Sequence, residues 1–304
     1  MSTRTARTRD PGRSREETDS RNLVAAIRQS LPRAARWTVC ASLAVLFLYP
    51  LYVMLSQSLK APGEAAAAPP TLYPHELSLD NFRALGGDTG IDIVASAGNS
   101  LLVSLGATLA TVVLSTVAGY GFARLRFPGS NILFFATLAT FMIPFQAVIT
   151  PLYLLLNNLG LQNSLLGLAA VYTTFQLPFG LFLMRNSFAA VPRSLEEAAL
   201  IDGCGILKAM VRVVLPVAVP GVITTALLTF FACWNEFFAA LILVTDQEKF
   251  TLPVSLSVLA SGSFGSVDWG VLQAGVAVTI VPCVVIYLLL QKYYVGGLLS
   301  SAVK

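Results

Sequence analysis

The sequence predicts an all-α integral membrane protein of six transmembrane helices, and two observations carry that prediction. The composition is 55% hydrophobic and only 12% charged, whereas soluble chains average about 25% charged residues; the mean hydropathy is +0.71. The apolar residues also stand in long runs rather than in stripes of helical period. No Lys, Arg, Asp or Glu occurs over residues 37–59, 93–123, 127–184, 213–235 or 269–291. About 20 residues cross a bilayer core as a helix. A helix pairs its own backbone polar groups in lipid, which an open sheet cannot do.

Taken in order, the chain begins with a polar segment, 1–36, holding nine arginines at positions 4, 7, 9, 13, 15, 21, 28, 33 and 36. Against four acids (Asp10, Glu16, Glu17 and Asp19) its net charge is +5, and the remainder of the chain is −1, so the overall +4 belongs to this tail. Such a composition reads as a disordered extension that fixes topology and touches anionic lipid headgroups, not as a nucleic-acid-binding arm. The apolar run after Arg36 exceeds the 7–15 residues of a signal peptide, and is read as a retained first span, 37–57. A loop, 58–96, follows. The next spans are 97–122, 131–155 and 165–187, the last two divided by the polar break "NNLGLQNS" (Asn157–Ser164). Spans at 214–244 and 273–291 complete the set.

Basic residues set the orientation. With the tail inside the cell, Arg124, Arg126, Arg185, Arg193, Lys208, Arg212, Lys292 and Lys304 are inside too, which makes seventeen of the 20 basic residues cytoplasmic. Lys60, Arg83 and Lys249 remain outside. Both termini are therefore expected in the cytoplasm and the loop 58–96 outside. Small residues at Gly106, Ala110, Ala118 and Gly121 suggest a helix-packing face.

The motifs that would mark an enzyme are missing from the sequence. There is no G-x-x-x-x-G-K-[ST] loop for ATP, the four cysteines form no C-x-x-C pair, and the one histidine, His75, stands alone in the external loop. No catalytic or metal-binding residues are assigned.

A polar stretch between two long hydrophobic runs is "RSLEEAALIDGCG", Arg193 to Gly205. Ser194 and Glu197 have the spacing of a capping box, and Glu196 and Glu197 suit the positive end of a helix dipole. A short helix from about Leu195 to Asp202 is expected, ended by Gly203 and Gly205, with a second helix starting near Ile206 and running toward Pro216. These features fit a capped cytoplasmic loop or a docking helix for a soluble partner. Glu236 is the one ionisable residue well inside a span. A carboxylate there costs about 2.5–3.5 kcal/mol on insertion scales and marks a functional site by default. With Trp234 and Asn235 it could line a path through the membrane, or it could be a packing contact.

Residues Glu196–Gly221 resemble the EAA loop of permease subunits in binding-protein-dependent ABC importers. The family pattern of Glu-Ala-Ala, Asp-Gly-Ala, Leu-Pro and a second proline four residues on corresponds to Glu197-Ala198-Ala199, Asp202-Gly203-Cys204, Leu215-Pro216 and Pro220. Cys204 stands where alanine is usual. The segments "LDNFRAL", "NSLLVS", "AGYGFARLRFPG", "MIPFQAVITPLYLLLNNLGLQNSLLG" and "WNEFFAALIL" extend the likeness from about residue 38 onward, most closely to the maltose-type second permease subunit of sugar importers.

The resemblance implies the type I ABC importer permease fold, with a core over 97–304 and a coupling loop at 193–215. It assigns ATPase coupling to Glu196, Glu197, Ala198, Ala199, Asp202 and Gly203, and leaves Trp234, Asn235 and Glu236 for the translocation path. It implies a second permease subunit, two cytoplasmic ATPase subunits that hold ATP and Mg in place of any cofactor in this chain, an external sugar-binding protein, and a bacterial inner membrane. The alternatives are an ion-coupled secondary transporter, which would usually show internal repeats and more intramembrane acids, and an ABC permease for a non-sugar solute.

Overall fold

The computed structural model describes residues 33–67, 71–87, 90–262 and 267–302; the tail predicted to be disordered lies outside them up to residue 32. Two compact units divide the chain, one ending at Val53 and the other beginning at Met54. Helix α1 (Arg33–Ser58) carries the first predicted span. Its apolar side chains, Trp37, Phe47 and Leu48 among them, are exposed, as lipid-facing residues are.

The loop that follows α1, predicted to be external, is folded rather than open among its described residues. It carries two single-turn helices, α2 (Pro62–Ala65) and α3 (Asp80–Arg83). The buried Asn81 amide donates to Ser58 O at 3.1 Å and Lys60 O at 2.8 Å, and fully buried Lys60 donates to Thr71 O at 2.6 Å. Glu64 accepts from Thr71 Oγ1 and pairs with His75 Nδ1, each at 2.8 Å. These partners, His75 foremost, hold its carboxyl down at about 2, below its usual 4.5.

Helix α4 (Ile93–Arg124) starts four residues before the predicted span, because the Asp92 carboxylate accepts from Ala95 N at 2.8 Å and caps it there. Its 32 residues rise about 48 Å at 1.5 Å each, more than a hydrocarbon core of about 30 Å requires. The predicted span 131–155 is not one helix: α5 (Ser130–Thr140) and α6 (Phe145–Asn158) meet at 96°. Pro144 sits in the break with ψ 129, where it has no N–H to continue a helix. Among the described residues, five helices are long and apolar enough to cross a membrane, or six if the bent pair is one span.

Helix α7 (Leu165–Ala190) is followed by α8 (Arg193–Ile201) and α9 (Ile206–Ala209). A π-helical turn (Met210–Val214) joins α9 to α10 (Leu215–Trp234). Leu215 N reaches back to Met210 O, and this wider turn precedes Pro216, which cannot donate to the preceding turn. The predicted span 214–244 therefore shifts: one helical run covers Ile206–Trp234, breaks at Asn235, and resumes as α11 (Phe238–Leu243). The chain continues through α12 (Leu252–Ala260) to α13 (Trp269–Ala302).

The core of the larger unit lies where α4, α7 and α10 pack together. The expected small-residue face is displaced: a side chain at Gly106 or Gly121 would meet nothing within 4 Å, whereas one at Gly119 would come within 2.7 Å of Met184 Cβ. Gly119 is thus a point of close approach between α4 and α7. Near its N-terminal end, α4 meets α12 through hydroxyls, Ser96 Oγ against Ser255 Oγ at 2.6 Å and Leu252 N on Ser100 Oγ at 2.7 Å. The polar break after α6 is also structured: Asn163, at φ 51, accepts Thr245 N and Asp246 N on its side-chain oxygen at 3.0 and 3.1 Å. The regular structure of the described residues is helical apart from two isolated bridges, as the predicted all-α fold requires.

Candidate coupling loop and membrane cavity

Helix α8 begins at Arg193, not Leu195. Pro192, with φ −58 and ψ 132, is its N-cap and no side chain caps it. The predicted capping box of Ser194 and Glu197 does not form, because the proline's fixed φ starts the helix early enough to place Ser194 inside the first turn. The C-terminal end follows the expectation from Gly203. That residue has φ +81, Gly203 N donates to Leu200 O at 3.1 Å and Cys204 N to Ala199 O at 3.0 Å. These are the two bonds of a Schellman motif, whose left-handed position favours glycine. Gly205 caps the next helix, with Ala209 N on its carbonyl at 2.9 Å.

The helix has two unlike faces. Ala199 is buried against the body, while Glu197, Ala198 and Asp202 are exposed, along with the apolar Leu200, Ile201, Ile206 and Leu207. Glu196 turns inward. It accepts a hydrogen bond from Tyr120 Oη and lies 3.3 Å from Arg124 Nε. That nitrogen has no hydrogen-bond geometry to any acceptor, so the pair is coulombic; Arg124 fixes itself by donating Nη2 to Val191 O at 2.6 Å. The Arg124 side chain is only 4% exposed and that of Glu196 14%. Removing one partner of so sheltered a pair strands the other charge, at about 3–5 kcal/mol.

The three residues predicted for the translocation path do not share a surface. Trp234 is buried in the core, stacked on Phe230 with centroids 5.8 Å apart, and its Nε1 donates to Thr279 O at 3.0 Å. Asn235 is exposed and bonds back to Phe231 O at 2.8 Å. Glu236 alone of the three lines a cavity of about 210 Å³, with Gln146, Tyr172, Phe175, Gln176 and Phe238. Its carboxylate accepts from Tyr172 Oη at 2.7 Å, Ala239 N at 2.8 Å and Ala240 N at 3.2 Å. The two amides are free donors of the first turn of α11, where an anion meets the positive end of the helix. The half-buried acid is thus a satisfied cap that also presents an edge to the cavity.

Residues 99–297 match the family described as the binding-protein-dependent transport system inner membrane component. The chain belongs to this family. The permease is 34% identical over 274 residues to the trehalose transport system permease protein of Mycobacterium tuberculosis, covering 90% of this chain and 98% of that one. It is 31% identical over 262 residues to the trehalose/maltose transport system permease protein of Thermococcus litoralis, covering 86% and 93%. A diacetylchitobiose uptake system permease protein of Streptomyces coelicolor is 33% identical over 253 residues, 83% of each chain. In fold, the permease is similar to a chain in the crystal structure of a bacterial ABC transporter involved in the import of the acidic polysaccharide alginate. The TM-score is 0.74 at 24% identity, over 87% of this chain and 99% of that one. Membership makes the permease an inner membrane transport component that works with a partner permease, an ATPase and a substrate-binding protein.

Sequence reasoning missed the residues that hold the permease's two polar features in place. Tyr120 and Arg124 lie in the quoted segment "AGYGFARLRFPG", more than 70 positions from Glu196, and no periodicity links them. Tyr172, Gln146 and Gln176 converge on Glu236 from α7 and α6. The available signal was only that each is a polar residue inside an apolar run.

Proposed function

We propose that the permease forms half of the translocation pathway of an ATP-driven carbohydrate importer, with oligosaccharides or related sugars as substrates. Three of its relatives are named for trehalose, maltose or diacetylchitobiose transport, which supports the substrate class. The observation that carries the coupling mechanism is the two-faced helix α8. Its exposed face, with Glu197, Ala198, Leu200, Ile201 and Asp202, offers two carboxylates on an apolar surface for a cleft in a cytoplasmic ATPase subunit, and Gly203 closes the turn tightly behind it. Two such ATPase subunits hold ATP and Mg. Their closure moves α8 of this chain and its counterpart in a second permease subunit, and the spans rock between inward- and outward-facing states.

In this reading both termini are cytoplasmic, which the distribution of basic residues supports. The loop 58–96 and the segments near 156–163 and 245–270 face the external sugar-binding protein. Glu236, Gln146 and Gln176 offer hydrogen bonds to passing hydroxyls beside the apolar faces of Phe175 and Phe238. The test is reconstitution in liposomes with the neighbouring ATPase, second permease and binding protein, after the binding protein has been screened against a sugar panel. Uptake of the bound sugar should require ATP. Uptake driven by an ion gradient without the ATPase, or a binding protein that holds no carbohydrate, would overturn this reading.

A further inference from the structure

The two adjacent glutamates of the coupling loop face opposite ways, and that division is the starting point. Glu197 is exposed. Glu196 is sheltered, with one carboxylate oxygen accepting from Tyr120 Oη and the other beside Arg124 Nε at 3.3 Å. Both partners lie in the last turns of α4, and both are 4% exposed, Tyr120 over the whole residue and Arg124 over its side chain. Arg124 is itself pinned to Val191 O, on the linker between α7 and α8. The Tyr120 ring meets Phe188 of α7 edge-on, with centroids 5.6 Å apart, and Gly119 lets α4 and α7 approach closely at Met184.

We propose that Glu196 is a positioning residue and not a docking residue: through Tyr120 and Arg124 it ties α8 to the cytoplasmic end of α4. The inference rests on the coupling reading of α8 given above. Covalently, α8 is attached only to α7 through Val191–Pro192 and to α9 through Asp202–Gly205. Without Glu196, a push on its exposed face would reach α4 only through side-chain packing, which can slip, and through the Arg124 bond to Val191 O, which holds the linker and not α8 itself. A charged, hydrogen-bonded contact fixes the register between the two helices, because any sliding separates a carboxylate from a guanidinium in a sheltered site. The ends of α4, α7 and α8 then move as one body. Glu197 supplies the outward contact and Glu196 the inward one.

The experiment uses the assembled complex in liposomes and compares E196Q, R124Q, the double variant and the milder Y120F with E197Q. Three quantities are read: melting temperature, co-purification of the ATPase, and sugar moved per ATP hydrolysed. E196Q and R124Q are each expected to keep ATPase co-purification within twofold of wild type and to lower sugar per ATP at least fivefold. The double variant should melt no lower than the worse single one, since both remove one contact. Y120F, which keeps the charge pair, should fall between wild type and E196Q, and E197Q alone should lose the ATPase. E196Q releasing the ATPase while R124Q retains it would overturn the proposal, as would additive melting losses or an unchanged ratio in E196Q beside a transporting wild type. A wild-type complex that holds no ATPase would overturn the coupling reading and this proposal together.

Discussion

Replacing Gly203 by valine probes the coupling loop through its backbone alone. At φ +81 an L residue is strained, by about 1–2 kcal/mol and more for a β-branched side chain. A Cβ at this position would meet nothing within 4 Å, so no clash with a neighbour adds to that figure. The chain could escape by straightening, but it would lose the bonds from Gly203 N to Leu200 O and Cys204 N to Ala199 O, at about 1 kcal/mol each. The two costs are comparable. Valine should therefore lower the population of the native turn roughly 5- to 30-fold against its alternatives, and α8 should no longer be held at a fixed angle to α9. Asparagine tolerates the left-handed region and serves as the control. We expect Gly203→Val to insert and to be expressed normally but to lose most ATPase co-purification and ATP-dependent uptake, with Gly203→Asn near wild type. Wild-type uptake by Gly203→Val, or an equal loss in Gly203→Asn, would refute the reasoning.

Glu197→Lys should weaken ATPase co-purification by charge reversal while leaving the amount of permease in the membrane unchanged; full retention of the ATPase would remove Glu197 from the docking face. Glu236→Ala would leave two amides and the Tyr172 hydroxyl without their acceptor, at about 1–3 kcal/mol each. Less folded complex should be recovered, whereas Gln146→Ala and Gln176→Ala should assemble fully and raise the KM for uptake; full assembly of Glu236→Ala with altered sugar preference would favour the path role over the cap. In a cysteine-free background, cysteines at Tyr73 and Gly262 should react with an impermeant thiol reagent in intact cells and cysteines at Leu125 and Leu200 should not, and labelling at Leu200 would reverse the orientation. The Glu64 carboxyl, held at about 2 chiefly by His75, is depressed on folding. Its contribution is full above about pH 4.5 and is lost as the pH falls toward 2. The difference in melting temperature between wild type and Glu64→Gln should shrink over that window, and a difference that persists below it would exclude this carboxylate as the source.

Hydropathy determined most of the architecture, since in lipid the length of a charge-free run and the self-pairing of helical backbone leave few alternatives. The turn at Gly203 was legible for the same kind of local reason: a glycine after a short amphipathic helix names a left-handed C-terminal position. Local rules failed where a proline interfered. Pro192 displaced the start of α8 and cancelled the Ser194 capping box, Pro144 lies at the 96° bend between α5 and α6, and Pro216 follows a π-helical turn that merges the second half of the coupling loop with a span. The burial of Trp234 and the roles of Glu196 and Glu236 belong to tertiary structure alone. Their partners come from α4, α7 and α13, and the energy of a carboxylate or an indole in a sheltered site depends on which donors and rings distant helices bring within about 3 Å. The sequence by itself could mark Glu196, Glu197 and Glu236 as costly or exposed charges. Only the packing of α4 against α7 and α8 decided that one glutamate is exposed, its neighbour grips the body of the permease, and the third caps a helix at the edge of a cavity.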